Sequence, residues 1–176
     1  LLNKFGHVYN KSQKSFIESR LKSKNFEKIK AQINGLQNLK VLVVGETIVD
    51  QYVFCEALGK SGKEPVLVLR DLKMEQYAGG AAAIARHLSD FCGTVSLLSM
   101  LGENKEYEKF ILESLPNNIK PYFIYKEGSP TITKKRYVDY ISNSKSLGVY
   151  SINDSQMNGE NQNQLHAYLD ELIPKH

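Results

Sequence analysis

The stretch Lys40-Val41-Leu42-Val43-Val44, followed by Gly45-Glu46-Thr47-Ile48-Val49-Asp50, constrains the fold more than any other. A short, continuous run of β-branched residues and leucine reads as a strand buried on both faces, the kind found in parallel sheets. Gly45 reads as a break where the backbone turns tightly, with the carboxylates Glu46 and Asp50 just past it. Ligands of open α/β sheets bind outside the carboxyl ends of the strands, which makes both acids site candidates. A turn or capping carboxylate is the competing reading, and this stretch alone leaves the two open.

The rest of the chain alternates in the way such a strand requires. Gly79-Gly80 opens a helix with Ala81, Ile84, Ala85, Leu88, Phe91 and Cys92 spaced as one apolar face. Val95 to Leu101 reads as a second buried strand, closed by Gly102-Glu103-Asn104. A helix with Tyr107, Phe110, Ile111 and Leu115 inward stops at Pro116, and residues 119–126 make a further strand. Strand, helix, strand, helix, strand is the rhythm of a doubly wound parallel sheet. Two regions break that rhythm. Gln51 to Cys55 and Pro65 to Arg70 are strand-like where a crossover helix belongs, and Thr131 to Tyr140 pairs with Lys145 to Ile152 as a hairpin across Ser142-Asn143-Ser144. Asn153 to Gln164 reads as a polar linker before a last helix, marked by Leu165, Tyr168, Leu169, Leu172 and Ile173.

Charge and cysteine placement exclude several function classes. No apolar run approaches the roughly 20 residues a membrane helix needs. Cys55 and Cys92 stand alone without CxxC spacing, so neither a metal site nor a disulfide framework is expected, and a reducing cytoplasm fits. Residues 1–40 hold nine Lys/Arg against two acids, whereas residues 41–176 hold fourteen against seventeen. The basic character therefore belongs to the leading segment. That segment reads as two short amphipathic helices: Phe16, Ile17 and Leu21 after a Ser15-x-x-Glu18 capping pattern, then Phe26, Ile29, Ile33 and Leu36 with Asn25 as cap. No aromatics interleave the lysines as stacking platforms would, so a connector packing on a neighbouring domain is preferred to a nucleic-acid or lipid-surface arm.

Three local motifs bear on chemistry. Gly59-Lys60-Ser61 is not a P-loop, because Phe54 stands where the pattern needs glycine, and Gly62 and Pro65 prevent the helix that must follow. Gly79-Gly80 lets a ligand approach the backbone at a helix N-terminus, but it is equally a simple turn. In Lys134-Lys135-Arg136, alternation puts Lys134 and Arg136 on one face with Ile132 and Val138. Such cations either guard a sheet edge or bind an anion. His87, alone on its helix, reads as structural or exposed.

Val41 to Asp50, Lys60-Ser61-Gly62-Lys63-Glu64-Pro65-Val66, Gly79-Gly80-Ala81-Ala82 and Pro130-Thr131-Ile132-Thr133-Lys134-Lys135-Arg136, in this order, resemble the ribokinase-like (PfkB) carbohydrate kinases. Within that family the likeness is to kinase domains of the ADP-heptose synthase type and of cytidylyltransferase–sugar kinase fusions. The resemblance implies an α/β fold: a partial ribokinase-like doubly wound sheet with a small β-sheet lid, preceded by short helices. Residues 1–38 would be a helical linker after an upstream nucleotidyltransferase domain. Residues 39–176 would be the N-terminal portion of the kinase domain, with lid strands within 51–77 and 131–152. It further implies that Asp50 binds sugar hydroxyls, that Gly79 and Gly80 lie against the sugar, and that Lys134 and Arg136 lie near a sugar phosphate.

Two departures stand on the helix that Gly79-Gly80 opens: the family usually has Asn where this chain has Ala83, and commonly Gly where it has Cys92. The family's Gly-Ala-Gly-Asp segment, with its general-base Asp, and its ATP site lie in the C-terminal half, outside these residues. The expected function is thus the sugar-binding and lid portion of an ATP-dependent carbohydrate kinase, with a heptose phosphate as one candidate acceptor, inactive by itself. ATP and Mg²⁺ would serve the full-length parent without binding fully to this segment. The expected partners are a sugar or sugar phosphate and a second copy of the chain through the lid strands, with no membrane and no nucleic acid. The other reading is a non-catalytic dimerisation or scaffold module of a bifunctional nucleotidyltransferase–kinase.

Overall fold

A single strand, β1 (Lys40–Lys60), runs through both sheets of the molecule. The structure, a computed structural model, describes residues 9–22 and 25–176. The first part of β1 pairs in parallel with β3 (Thr94–Gly102), from Lys40 opposite Thr94 to Glu46 opposite Met100. β3 in turn pairs in parallel with β4 (Ile119–Lys126). From Thr47 onward β1 leaves this sheet. It pairs antiparallel with β2 (Leu67–Gly80) and, on its other edge, in parallel with β5 (Thr133–Asp139), which carries β6 (Lys145–Ser151) antiparallel beyond it.

Gly45 therefore does not turn the chain; it lies inside a continuous strand. Its missing side chain serves packing instead, since a Cβ there would already touch the Ala81 Cβ at 3.4 Å. The two strand-like pieces expected after Asp50 are the arms of one long hairpin, closed where the Ser61 amide donates to the Val66 carbonyl at 2.9 Å. No helix follows Lys60, in keeping with the rejected P-loop.

Helices cover both faces of the parallel sheet, and its central strand β3 is buried along most of its length. α3 (Ala81–Ser89) sets Ala81, Ala82 and Ala85 against Val43, Val95 and Leu97. α4 (Glu108–Ser114) sets Ile111 against Val49 and Leu101 on the same side. α5 (Gly159–Leu172) brings Leu172 and Tyr168 onto Leu98, Ile124 and Tyr122 of the opposite face. Each fully buried Val, Leu or Ile side chain among these stabilises the fold by about 1.5–3 kcal/mol.

The expected stripe on α3 is only partly inward. Ile84 and Phe91 are 55% and 48% exposed, and Ala82 takes the inward place. A face of alanines brings the helix close to the sheet, so the strip that touches it is narrow. α5 begins six residues before Leu165, because Asn158 caps it by accepting from the Asn161 amide at 2.8 Å. Asn161 is itself buried and donates to the Tyr125 carbonyl at 3.0 Å. Part of the supposed linker is thus a cap and a first turn.

The leading segment forms α1 (Lys11–Lys22) and α2 (Asn25–Gly35). The cap of α1 is Asn10, not Ser15: Asn10 Oδ1 accepts from the Gln13 amide and Gln13 Oε1 accepts from the Asn10 amide, each at 2.9 Å. This reciprocal pair is a capping box. The expected cap at Asn25 involves a side chain outside the described residues. Phe16, Leu21, Phe26, Ile29 and Ile33 are all exposed. Among the described residues, no helix is long and apolar enough to cross a membrane.

Candidate functional site

The site grows from the place where β1 changes sheets. Thr47, fully buried, shares a 2.7 Å hydroxyl hydrogen bond with Ser99 of β3, and this ties the crossing point to the parallel sheet. Thr131 does the same just before β5. Its hydroxyl accepts from the Gly102 amide and donates to the Glu106 carbonyl, each at 2.9 Å. Asp50 and Arg136 follow these two pins by three and five residues, so both are presented by anchored strands rather than by loops.

Parallel pairing of β1 with β5 puts Asp50 opposite Lys134 and Tyr52 opposite Arg136. Residues directly opposite share a face of the sheet. On that face the Arg136 guanidinium forms an ion pair with Asp50 Oδ1. The two side chains are only 17% and 23% exposed. Arg136 also lies 5.4 Å from the Tyr52 ring centre and 5.7 Å from that of Tyr150 on β6, within cation–π reach of both. The hydrogen bond to Asp50 holds the Arg136 pKa above its already high ordinary value, against the opposing effect of burial. Lys134 turns toward Tyr150, with its ammonium 5.8 Å from the ring centre.

The other carboxylate oxygen of Asp50 lies over Gly79. A Cβ at Gly79 would run into Asp50 Oδ2, so the glycine makes the room in which the carboxylate sits. Gly80 has φ 59°, a left-handed conformation, and a Cβ there would collide with the Glu46 carbonyl. It starts α3 directly from β2. Ala83, in the first turn of α3, is half-buried and offers no side-chain hydrogen bond.

Of the five residues expected at a sugar site, the structure thus brings Asp50, Gly79 and Arg136 into direct contact. Lys134, directly opposite Asp50 in the register, turns to Tyr150 instead, and Gly80 stands at the start of the adjoining helix. Lys60 lies ten residues along β1 from Asp50, roughly 33 Å at strand rise, and cannot share a ligand with it. Sequence reasoning missed Tyr52 and Tyr150 as partners of Arg136. Period-two alternation already put Tyr52 on the Asp50 face, but Tyr150 needed the β5–β6 register. His87 is exposed, and Cys55 and Cys92 are both buried free thiols.

No protein-family model matches the chain. Among solved structures, a Thermotoga maritima protein described as a possible 1-phosphofructokinase superimposes with TM-score 0.56 at 19% identity, covering 78% of this chain and 42% of that one. Phosphofructokinase-2 from Escherichia coli, in complex with fructose-6-phosphate, gives TM-score 0.54 at 14% identity over 76% and 41%. Identities this low define the fold alone: a mixed α/β fold resembling the ribokinase-like (PfkB) sugar kinases. In sequence, the Bifunctional protein HldE of Campylobacter jejuni (strain RM1221) is 31% identical over 137 residues. That match spans 78% of this chain and 28% of the relative's length. The chain is a homologue of part of HldE, and this similarity supports a carbohydrate kinase-like portion.

Proposed function

We propose that residues 39–176 form the acceptor-sugar-binding and lid portion of an ATP-dependent carbohydrate kinase, acting on a sugar phosphate such as a heptose phosphate. One observation carries this reading: Asp50, seated in the space left by Gly79, is held by Arg136 on the open face of the second sheet. A bare carboxylate would bind hydroxyls of any sugar. A carboxylate already paired to arginine favours a ligand that brings its own anion. The phosphate takes Arg136 and Lys134 through charge-assisted hydrogen bonds, and Asp50 is released to accept sugar hydroxyls. No charge is left buried without a partner during this exchange.

Sugar phosphorylation needs a base for the attacking hydroxyl, with ATP and Mg²⁺ supplying the phosphoryl group and its charge neutralisation. The acids of this face do not suit a metal ion. Asp50 is neutralised by Arg136 and Glu75 by Lys73, and no group of three metal-ligating side chains occurs among the described residues. The role of this chain is to bind and orient the acceptor. ATP and Mg²⁺ would be held by other parts of a full-length kinase, and these 176 residues would be inactive alone. Titration of the chain with fructose 6-phosphate and with fructose tests the binding claim: saturable binding that is tighter for the phosphorylated sugar supports it, and equal affinities contradict it. Turnover with ATP by this chain alone would overturn its assignment as an acceptor portion only.

A second reading rests on β6, every residue of which is exposed. Leu147 and Val149 are 55% and 51% exposed, on the face opposite Arg136. An apolar edge strand of this kind suits pairing with a second copy of the chain, with the lid serving as a dimer contact.

A further inference from the structure

β1 and β2 pair so that Asp50 lies opposite Tyr77 and Tyr52 opposite Glu75. These four side chains therefore share one face of the sheet, next to Phe54. Together the five line an open cavity of about 410 Å³ on the side of Asp50 away from Arg136. That volume falls within the roughly 300–1,000 Å³ of small-molecule sites. The Tyr52 and Tyr77 rings meet edge to face, 6.0 Å apart at 72°, and form an apolar corner. Glu75 forms the polar wall beside it. Its Oε1 accepts from the Lys73 ammonium at 2.7 Å and its Oε2 from the Tyr77 hydroxyl at 2.8 Å.

These contacts orient Glu75 without exhausting it. A carboxylate has about four lone-pair sites, so both oxygens keep acceptor capacity, as does the Tyr77 oxygen. The hydrogen bonds from Lys73 and then Tyr77 hold the Glu75 carboxyl below its ordinary range, so it stays ionised. Lys73 is steadied in turn, with its ammonium 4.4 Å from the Phe54 ring centre. The fold has little need of this arrangement: Lys73 and Glu75 are 51% and 37% exposed, and exposed ion pairs contribute little to stability. Oriented acceptors beside an exposed aromatic corner match a polyol, which presents hydroxyl donors at its edge and C–H groups on its face.

We propose that Glu75, Tyr77 and Tyr52 form a second sugar subsite contiguous with Asp50. Glu75 accepts a hydroxyl of the bound sugar, and the Tyr52–Tyr77 corner packs against its C–H face. Lys73 is a positioning residue, acting through Glu75. The subsite rests on the reading of Asp50 as the first sugar anchor, and the test separates the two.

Fructose 6-phosphate and inorganic phosphate serve as probes in calorimetric titrations of the whole chain and of Glu75→Gln, Tyr77→Phe, Lys73→Met and Asp50→Asn. Glu75→Gln weakens fructose 6-phosphate roughly tenfold, the worth of one charge-assisted hydrogen bond. It leaves inorganic phosphate unweakened and the melting transition in place. Tyr77→Phe and Lys73→Met give smaller losses of the same kind, which a purely structural role would not confine to the sugar. Wild-type affinity in Glu75→Gln, with Asp50→Asn weakened, overturns the second subsite and leaves the first standing. Wild-type affinity in both variants, or no binding of fructose 6-phosphate to the wild-type chain, overturns both.

Discussion

Asp50 lies directly opposite Lys134 in the β1–β5 register, yet its carboxylate pairs with Arg136, one step further along. The diagonal partner wins because its planar guanidinium packs against Tyr52 and Tyr150 while it donates to the carboxylate. Lys134 lacks a planar group and is left beside Tyr150 alone.

This pair is mostly buried, so its members should be energetically coupled. Arg136→Gln leaves a carboxylate without its cation, and Asp50→Asn leaves a guanidinium without its anion. Each single variant is expected to lose about 1–3 kcal/mol, and the double variant less than the sum. Urea unfolding of all four proteins measures the coupling, which would be absent if the pair made no difference to the fold.

The two glycines should fail in different ways. Gly80→Ala forces a left-handed backbone on alanine and drives its Cβ into the Glu46 carbonyl, so a stability loss on the order of 2 kcal/mol is expected. Gly79→Ala pushes instead on the flexible Asp50 side chain. Its larger effect is expected on sugar binding, and parallel denaturation and titration experiments would separate the two variants.

At the crossing point, Thr47→Val keeps the shape but leaves the Ser99 hydroxyl buried without its partner. The expected cost is about 1–3 kcal/mol. Adding Ser99→Ala should recover part of it, because an apolar pair leaves nothing unsatisfied. A double variant less stable than Thr47→Val would count against this account of the pin.

Much of this was legible in the residues themselves. The buried strand at Lys40–Val44, the hairpin of β5 and β6, and the strand at Ile119–Lys126 all follow from apolar runs and alternation. Gly45 misled because glycine in a strand can signal either a turn or close packing, and only the position of Ala81 decides between them. The Asn-rich stretch before α5 misled because cap and linker share a composition, and burial of Asn161 distinguishes them. At the site, the resemblance named Asp50 and Arg136 separately. That they hold each other depends on a strand pairing 86 residues apart in sequence, which no local pattern contains.

Alkaline pH should act through Tyr125. Burial, and then its hydrogen bond to Glu108, push its pKa from 10.0 up to about 12. A group whose folded pKa is raised contributes stability that is intact below the unfolded value and lost as pH rises through the folded one. The urea midpoint is therefore expected to fall between about pH 10 and 12. Tyr125→Phe should flatten that part of the profile, and an unchanged slope would show that another group is responsible.

The exposed edge of β6 gives a prediction about assembly. If it joins a second copy, Leu147→Glu with Val149→Glu should convert a dimer to a monomer in size-exclusion chromatography with light scattering. A wild-type chain that is monomeric at high concentration would remove the lid dimer from consideration.

In the proposed function, Asp50 anchors an acceptor sugar whose phosphate takes over Arg136. This role is tested most directly by calorimetric titration of the wild-type chain and Asp50→Asn with fructose 6-phosphate and with inorganic phosphate. Asp50→Asn is expected to lose roughly tenfold or more in affinity for the sugar phosphate while its affinity for inorganic phosphate is kept or rises, since Arg136 is freed. Equal binding of fructose 6-phosphate by the two proteins would contradict it.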